Sequence, residues 1–163
     1  MELLTDRLFR HMAWANAYLF DRLAELSEAE LQLTAPHDDW SAAAIAQHLA
    51  SAATRYAVRL DNLGEPNAIT PTNSTEVLAL KELTKETDAR LRAAAHHVEG
   101  FVEFTRDGQR IRRARATILA QSIHHATEHR AQIAGIFSSH GMKVIDLDAV
   151  DLWEFADFEG LGD

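Results

Sequence analysis

Apolar residues recur at helical spacing in four long stretches of the chain. In the first stretch, residues 4–26, they fall at Leu4, Leu8, Met12, Ala15, Leu19 and Leu23. This period places them on one face of a helix. Stretches near residues 41–62, 75–97 and 116–139 repeat the pattern, with Ser41 as the predicted N-cap of the second and Gly100 and Gly141 closing the third and fourth. The chain therefore predicts four long helices.

The region before the last of these helices has a different pattern. Phe101–Arg106 is rich in aromatic and β-branched residues. Asp107-Gly108 follows, and Gln109–Ala114 is a second run of the same length. An Asp-Gly pair between two such runs is a strong signal for a β-hairpin. Between the second and third helices, the prolines and polar residues from Pro66 to Ser74 predict a loop.

These elements predict an all-α fold, a four-helix bundle with a small β-hairpin before the last long helix. The length of 163 residues suits one domain, and we expect it to span residues 1–163. A last segment, Ala149–Phe158, alternates aromatic and acidic residues. We expect it to pack on the body of the protein as a short helix.

Charge and hydropathy exclude several classes of protein. The net charge is −9, whereas a nucleic-acid-binding protein normally carries a basic surface. The basic cluster Arg106, Arg110, Arg112, Arg113 and Arg115 is interpreted as the polar face of the hairpin, with an anion site as the alternative. No apolar run is long enough to span a bilayer, and the acidic opening Met1–Asp6 does not resemble a signal peptide. We therefore expect a cytoplasmic protein that binds neither nucleic acid nor membrane.

The chain contains no cysteine. Disulfides, zinc–thiolate sites and a cysteine nucleophile are thereby excluded. Any metal ion must be held by nitrogen and oxygen atoms, and any thiol chemistry requires a thiol supplied by a substrate.

Three histidines have the spacing of a metal site. His125 and His129 are four residues apart on the fourth predicted helix, so their side chains share one face. His48 lies on the inward stripe of the second helix, with Ile45 and Ala52. Helix bundles build metal sites from facing helices, and three histidine ligands leave coordination positions open. The alternative interpretation is that these histidines line a polar cleft. The residues alone leave zinc, nickel, iron and copper open.

These motifs resemble those of the DinB-like (damage-inducible) family of four-helix-bundle metalloproteins. The similarity rests on Trp40-Ser41 followed by Ile45-x-x-His48-Leu49, on His125-x-x-x-His129-Arg130-x-Gln132, and on the opening His11–Asn16. It covers nearly the whole chain. It implies that His48, His125 and His129 bind a divalent metal, zinc or nickel. One departure is Ala131, where the family often has glycine.

A second motif overlaps the first. His125-Ala126-Thr127-Glu128-His129 matches the His-x-x-Glu-His signature of inverted zinc peptidases, in which the glutamate is the general base. The chain is short for such a peptidase, but Glu128 remains a candidate catalytic residue. His11 is predicted to line the core or a cleft. Arg130 is interpreted as a surface ion-pair residue, with binding of an anionic substrate group as the alternative.

The family resemblance implies a metal-dependent enzyme that transfers a low-molecular-weight thiol to an electrophile. This is the leading hypothesis. Because the chain has no cysteine, the thiol would have to be a substrate. Two alternatives stay open: hydrolysis by a metal hydroxide, and a non-catalytic, stress-related metal-binding dimer. The expected partners are a small-molecule substrate and a second copy of the chain in a homodimer.

Overall fold

The computed structural model describes residues 4–64 and 68–162, which are mostly helical with a small antiparallel sheet. The helices are α1 Leu4–Ala24, α2 Glu28–Leu31, α3 Ala42–Asp61, α4 Ser74–Ala94, α5 Arg115–Ser139 and α6 Leu152–Phe158. The strands are β1 Phe101–Arg106 and β2 Gln109–Ala114, and a 3₁₀ turn covers Asp148–Val150. The predicted loop from Pro66 to Ser74 begins outside the described residues.

Polar caps set the ends of the long helices. The Ser41 hydroxyl accepts a hydrogen bond from the backbone N–H of Ala44, which confirms the predicted N-cap of α3. At the start of α4, the side-chain oxygen of Asn73 accepts a hydrogen bond from the backbone N–H of Glu76. Asn62 ends α3 in the left-handed conformation, with φ of 60°. α4 ends at Ala94, three residues before the predicted end, and a turn follows at residues 95–96.

The predicted hairpin is confirmed. Asp107 and Gly108 both have positive φ, 51° and 74°, as a tight turn between right-twisted strands requires. The strands pair in antiparallel register, with Phe104 opposite Ile111 and Val102 opposite Arg113. Directly opposed residues point to the same side of the sheet, so the two faces of this hairpin carry different side chains.

The long helices pack so that α1 and α3 each contact both α4 and α5. Their buried residues form two apolar clusters. One joins the first half of α3, including Leu49, to the last part of α5, including Phe137. The other joins the second half of α3, including Leu60, to the first half of α5, including Ile118. α3 and α5 therefore run antiparallel, and residues between the two clusters lie at the middle level of the molecule.

The C-terminal segment forms a short helix that packs on the body of the protein, as predicted, and its contacts are with α1. Phe155 of α6 is buried, and its ring centroid lies 5.3 Å from that of Trp14. His11 shares a hydrogen bond of 2.8 Å with the carbonyl of Val150. Among the described helices, none combines the length and apolar character needed to cross a bilayer.

Candidate metal site

The three predicted histidines meet in one group. His48 of α3 faces His125 and His129 of α5, and each offers a ring nitrogen such that all three nitrogens lie within 4.8 Å of one another. The Nε2 atom of His125 is 3.1 Å from Nε2 of His48 and 3.0 Å from Nε2 of His129. All three side chains are partly buried. The structure thus brings together the residues that the spacing selected.

Helix geometry explains this convergence. One turn of α5 separates His125 from His129, so their rings stand on the same side, with centroids 4.2 Å apart. On α3, His48 lies next to Leu49 of the first apolar cluster. On α5, His125 is adjacent to Ala126 of the second cluster, and His129 lies one turn before Ile133 of the first. The antiparallel packing therefore places His48 opposite the pair at the middle level.

A hydrogen-bond chain fixes which nitrogen of His129 faces the group. Asp38 lies 3.3 Å from the side-chain amide of Gln132 and, when ionised, can only accept, so the amide donates its N–H there. The amide oxygen of Gln132 then accepts from Nδ1 of His129, at 2.9 Å. With its proton on Nδ1, His129 presents the lone pair of Nε2 to the other histidines. Metal-ligating histidines are commonly oriented by such a second hydrogen bond.

The surroundings favour the neutral form of His48 and His125. The pKa of His125 is lowered to about 4, mainly by burial and to a smaller extent by the neighbouring His129, His48 and Arg55. Burial also lowers the pKa of His48, with smaller contributions from His129 and Arg55. A neutral imidazole is the form that binds metal ions. Near neutral pH, these two residues are therefore in the state that ligation requires.

Two aromatic side chains border the group. The Trp40 ring lies edge-on to His48, with centroids 4.8 Å apart, and is itself 43% exposed. Tyr56, two helical turns after His48, lies edge-on to His125 with centroids 5.7 Å apart. The histidines thus lie between an exposed tryptophan and a half-buried tyrosine, at the side of the molecule rather than deep in its core.

The donor set fits a divalent transition-metal ion. Three nitrogen atoms converge without a carboxylate or thiolate among them, and imidazole suits zinc, nickel, copper and iron alike. In a neutral ring, Nε2 either carries the single N–H or offers a lone pair, and the lone pair of His129 faces the group, so Nε2 of His125 cannot make a good hydrogen bond to both of its Nε2 neighbours. A cation among the three lone pairs removes that mismatch.

The family model described as the DinB family matches residues 1–159. This chain belongs to the DinB family. No curated protein and no solved structure is significantly similar to it. The predicted family is thereby confirmed, and its motif histidines coincide with the three-histidine group of this DinB-family protein.

Two further residues of α5, Glu128 and His124, have exposed side chains. The role of Glu128 as a general base stays a prediction. Ala131, where the family often has glycine, is also exposed, so no close helix packing depends on this position.

The interpretation of Arg130 as a surface residue is wrong. Arg130 is only 4% exposed, and its Nη1 donates to the side-chain oxygen of Asn16 on α1 at 2.7 Å. Asn16 in turn donates to Asp88 on α4 at 2.9 Å. Burial raises the pKa of Asp88 to about 7, although Asn16 and Arg130 act to lower it. These three side chains, the Asn16–Asp88–Arg130 cluster, connect α1, α4 and α5.

The sequence interpretation also missed the residues that support the site. Gln132 belongs to the quoted family motif, and its place three residues after His129 puts the two side chains within reach of each other on one helix. Asp38 carried no such signal, since it lies in a loop 94 residues away. Tyr56 lies eight residues after His48 and so shares a face of α3 with it, a signal that the sequence does contain.

Proposed function

We propose that this DinB-family protein is a metal-dependent enzyme that transfers a low-molecular-weight thiol to an electrophilic small molecule. His48, His125 and His129 hold the divalent ion, zinc or nickel. We also infer that the four long helices form a four-helix bundle, with this site on the side formed by α3 and α5. The observation that supports the proposal best is the convergence of three imidazole nitrogens in a partly buried group that borders solvent.

The chemistry divides between the ion and the protein. A divalent ion held by His48, His125 and His129 would leave coordination positions open and would supply a Lewis acid that favours the deprotonated form of a thiol. Gln132 holds His129 in the required tautomer, and Asp38 holds Gln132. Because the chain has no cysteine, the thiol comes from a substrate. It loses its proton to solvent, and its sulfur bonds to the electrophilic carbon while the leaving group departs with the bonding pair.

The test is a turnover assay on zinc- and nickel-loaded protein with 1-chloro-2,4-dinitrobenzene and a panel of thiols that includes cysteamine and N-acetylcysteine. We expect thioether formation above the uncatalysed rate with at least one thiol. It should be lost in His125→Ala and kept in His124→Ala, which alters an exposed histidine of the same helix. Metal-dependent ester hydrolysis without a thiol would instead support the hydrolase alternative, with Glu128 as base. Bound metal without turnover in either assay would support the non-catalytic dimer.

A further inference from the structure

Arg55 of α3 differs from the other arginines of the chain. It is partly buried, and among the residues that the structure describes its guanidinium group takes part in no hydrogen bond, ion pair or ring contact. Each of the other arginines contacts an acidic side chain, a backbone carbonyl, a side-chain amide or an aromatic ring. In a chain with a net charge of −9, an arginine of this kind calls for an explanation.

Helix geometry places Arg55 beside the three histidines. It follows His48 by seven residues on α3, which is close to two turns at about 3.6 residues per turn, so the two side chains share one stripe. Long side chains on a helix lean back toward its N-terminus, and for Arg55 that direction leads to His48. The next residue, Tyr56, contacts the His125 ring edge-on, so this level of α3 faces His125.

The charge of Arg55 acts on histidines of both helices. It contributes to the lowered pKa of His48 on α3 and to that of His125 on α5, in both cases less than burial does. An effect on both helices requires the guanidinium group to lie on the side of α3 that faces α5. The electrostatic effect and the helix geometry therefore agree on its place.

Arg55 gives the candidate metal site an excess of positive charge. Three neutral imidazoles offset neither charge of a divalent ion, and the guanidinium group adds a third. Asp38 accepts from Gln132 and Glu128 is exposed, and neither forms an ion pair with Arg55. Like charges repel more strongly at a partly buried site than in bulk water. An anionic group of a substrate is therefore favoured beside Arg55.

We propose that Arg55 binds a carboxylate group of the thiol substrate, which assigns the substrate to the short mercaptocarboxylic acids. This inference rests on the proposed function for the thiol end. The guanidinium group offers parallel N–H donors that match the two oxygens of a carboxylate. Arg55 and His48 are about 10.5 Å apart along the helix axis, at about 1.5 Å per residue. The arginine side chain leans across part of that distance, so only a few atoms separate the sulfur from the carboxylate.

The test compares two thiols that differ at one end. Isothermal titration calorimetry measures the binding of 3-mercaptopropionate and of its neutral analogue 3-mercaptopropan-1-ol to the zinc-loaded protein. We expect the wild type to bind the acid roughly tenfold or more tightly than the alcohol, because hydrogen bonds between charged groups are the stronger kind. Equal affinity for the two thiols would overturn the proposal.

Variants of Arg55 locate the source of the preference for the acid. Arg55→Gln should reduce it to less than about twofold, and Arg55→Lys should keep part of it, since lysine retains the charge but not the fork. The matched control is Arg22→Gln, which removes an arginine from α1, a helix that carries none of the three histidines. This control should keep the full preference. Circular dichroism and zinc content establish that each variant is folded and loaded.

Two results with these variants would overturn the proposal. A preference that persists in Arg55→Gln would mean that the carboxylate binds elsewhere, for example to the zinc ion. An equal loss of preference in Arg55→Gln and Arg22→Gln would mean a general effect of net charge.

The two proposals fail separately. Arg55-dependent binding of 3-mercaptopropionate without any thiol transfer would contradict the proposed function and leave the carboxylate site standing. Thiol transfer at equal efficiency from the acid and the alcohol would contradict the carboxylate site and leave the proposed function standing.

Discussion

Two adjacent residues of α5, His129 and Arg130, belong to polar clusters of opposite character. His129 joins His48 and His125, three like groups whose nitrogens face one another. Arg130 joins Asn16 and Asp88, where a cation and a carboxyl group are connected by an amide. Both clusters lie at the middle level, between the two apolar clusters. Among the described residues, the converging nitrogens of the first cluster have only one another as neighbours at hydrogen-bond distance, whereas the second cluster is paired almost completely.

This difference indicates different roles. Burying polar groups is costly unless they are paired, and the Asn16–Asp88–Arg130 cluster is paired except for one oxygen of Asp88, which has no hydrogen-bond partner among the described residues. The histidines are half-buried and open to one side. We therefore expect the arginine cluster to stabilise the fold by itself, and the histidine group to contribute stability only through a bound ion.

The largest expected effect is stabilisation by metal. Zinc at a thousandfold excess over its dissociation constant should raise the free energy of unfolding of the wild-type protein by about 4 kcal/mol. His125→Ala should abolish that increase, whereas His124→Ala should retain it. Thermal unfolding with zinc or with a chelator measures the difference. Equal stabilisation of His125→Ala and wild type by zinc would contradict the expectation that the histidine group stabilises the fold through a bound ion.

The arginine cluster should show the reverse behaviour. Arg130→Met keeps the length of the side chain but leaves Asp88 without its buried cation, which should cost about 3 kcal/mol of unfolding free energy. Urea unfolding in the presence of a chelator measures this loss. His129→Ala, one residue away, should lose far less under the same conditions. A loss of unfolding free energy below about 1 kcal/mol in Arg130→Met would mean that the Asn16–Asp88–Arg130 cluster contributes little to stability.

A smaller effect should follow from removing the support of His129. Gln132→Leu deletes the acceptor for Nδ1 of His129 and should weaken metal binding by about 10- to 100-fold. Competition with a chromophoric chelator measures the affinity. Ser138→Leu, at an exposed position of the same helix, is the matched control. Unchanged affinity in Gln132→Leu would show that the hydrogen-bond chain does not set the tautomer.

The remaining effect concerns pH. Because burial raises the pKa of Asp88 to about 7, the folded state binds a proton more tightly than the unfolded state, whose value is near 3.8. Its contribution to stability is complete below about pH 4 and is lost as the pH rises through about 7, by at most about 1.4 kcal/mol per pH unit. Asp88→Asn should lack this slope. Parallel unfolding profiles of the metal-free wild type and variant from pH 4.5 to 8 would contradict the shift.

The histidine group could be predicted from the sequence because helical spacing and an apolar stripe are local signals. His125 and His129 share a face by their separation alone, and His48 was selected by its place on the inward stripe of its helix before the family resemblance supported all three. The hairpin was predictable for the same reason, since Asp107-Gly108 specifies its own turn. These features need no knowledge of how the helices pack.

The Asn16–Asp88–Arg130 cluster depends on packing and could not be predicted in the same way. Asn16 and Asp88 occupy apolar stripes of α1 and α4, so each can be noticed as a polar residue at a core position. Their contacts with each other and with Arg130 depend on how three helices pack together.

The most direct test of the account is elemental analysis of purified wild-type protein beside His48→Ala, His129→Ala and His124→Ala. We expect about one zinc or nickel ion per chain in the wild type and in His124→Ala. Both other variants should contain almost none, because each lacks one of the three converging nitrogens. Full occupancy in His48→Ala or His129→Ala, or no bound metal in the wild type after reconstitution with either ion, would contradict the assignment of the site.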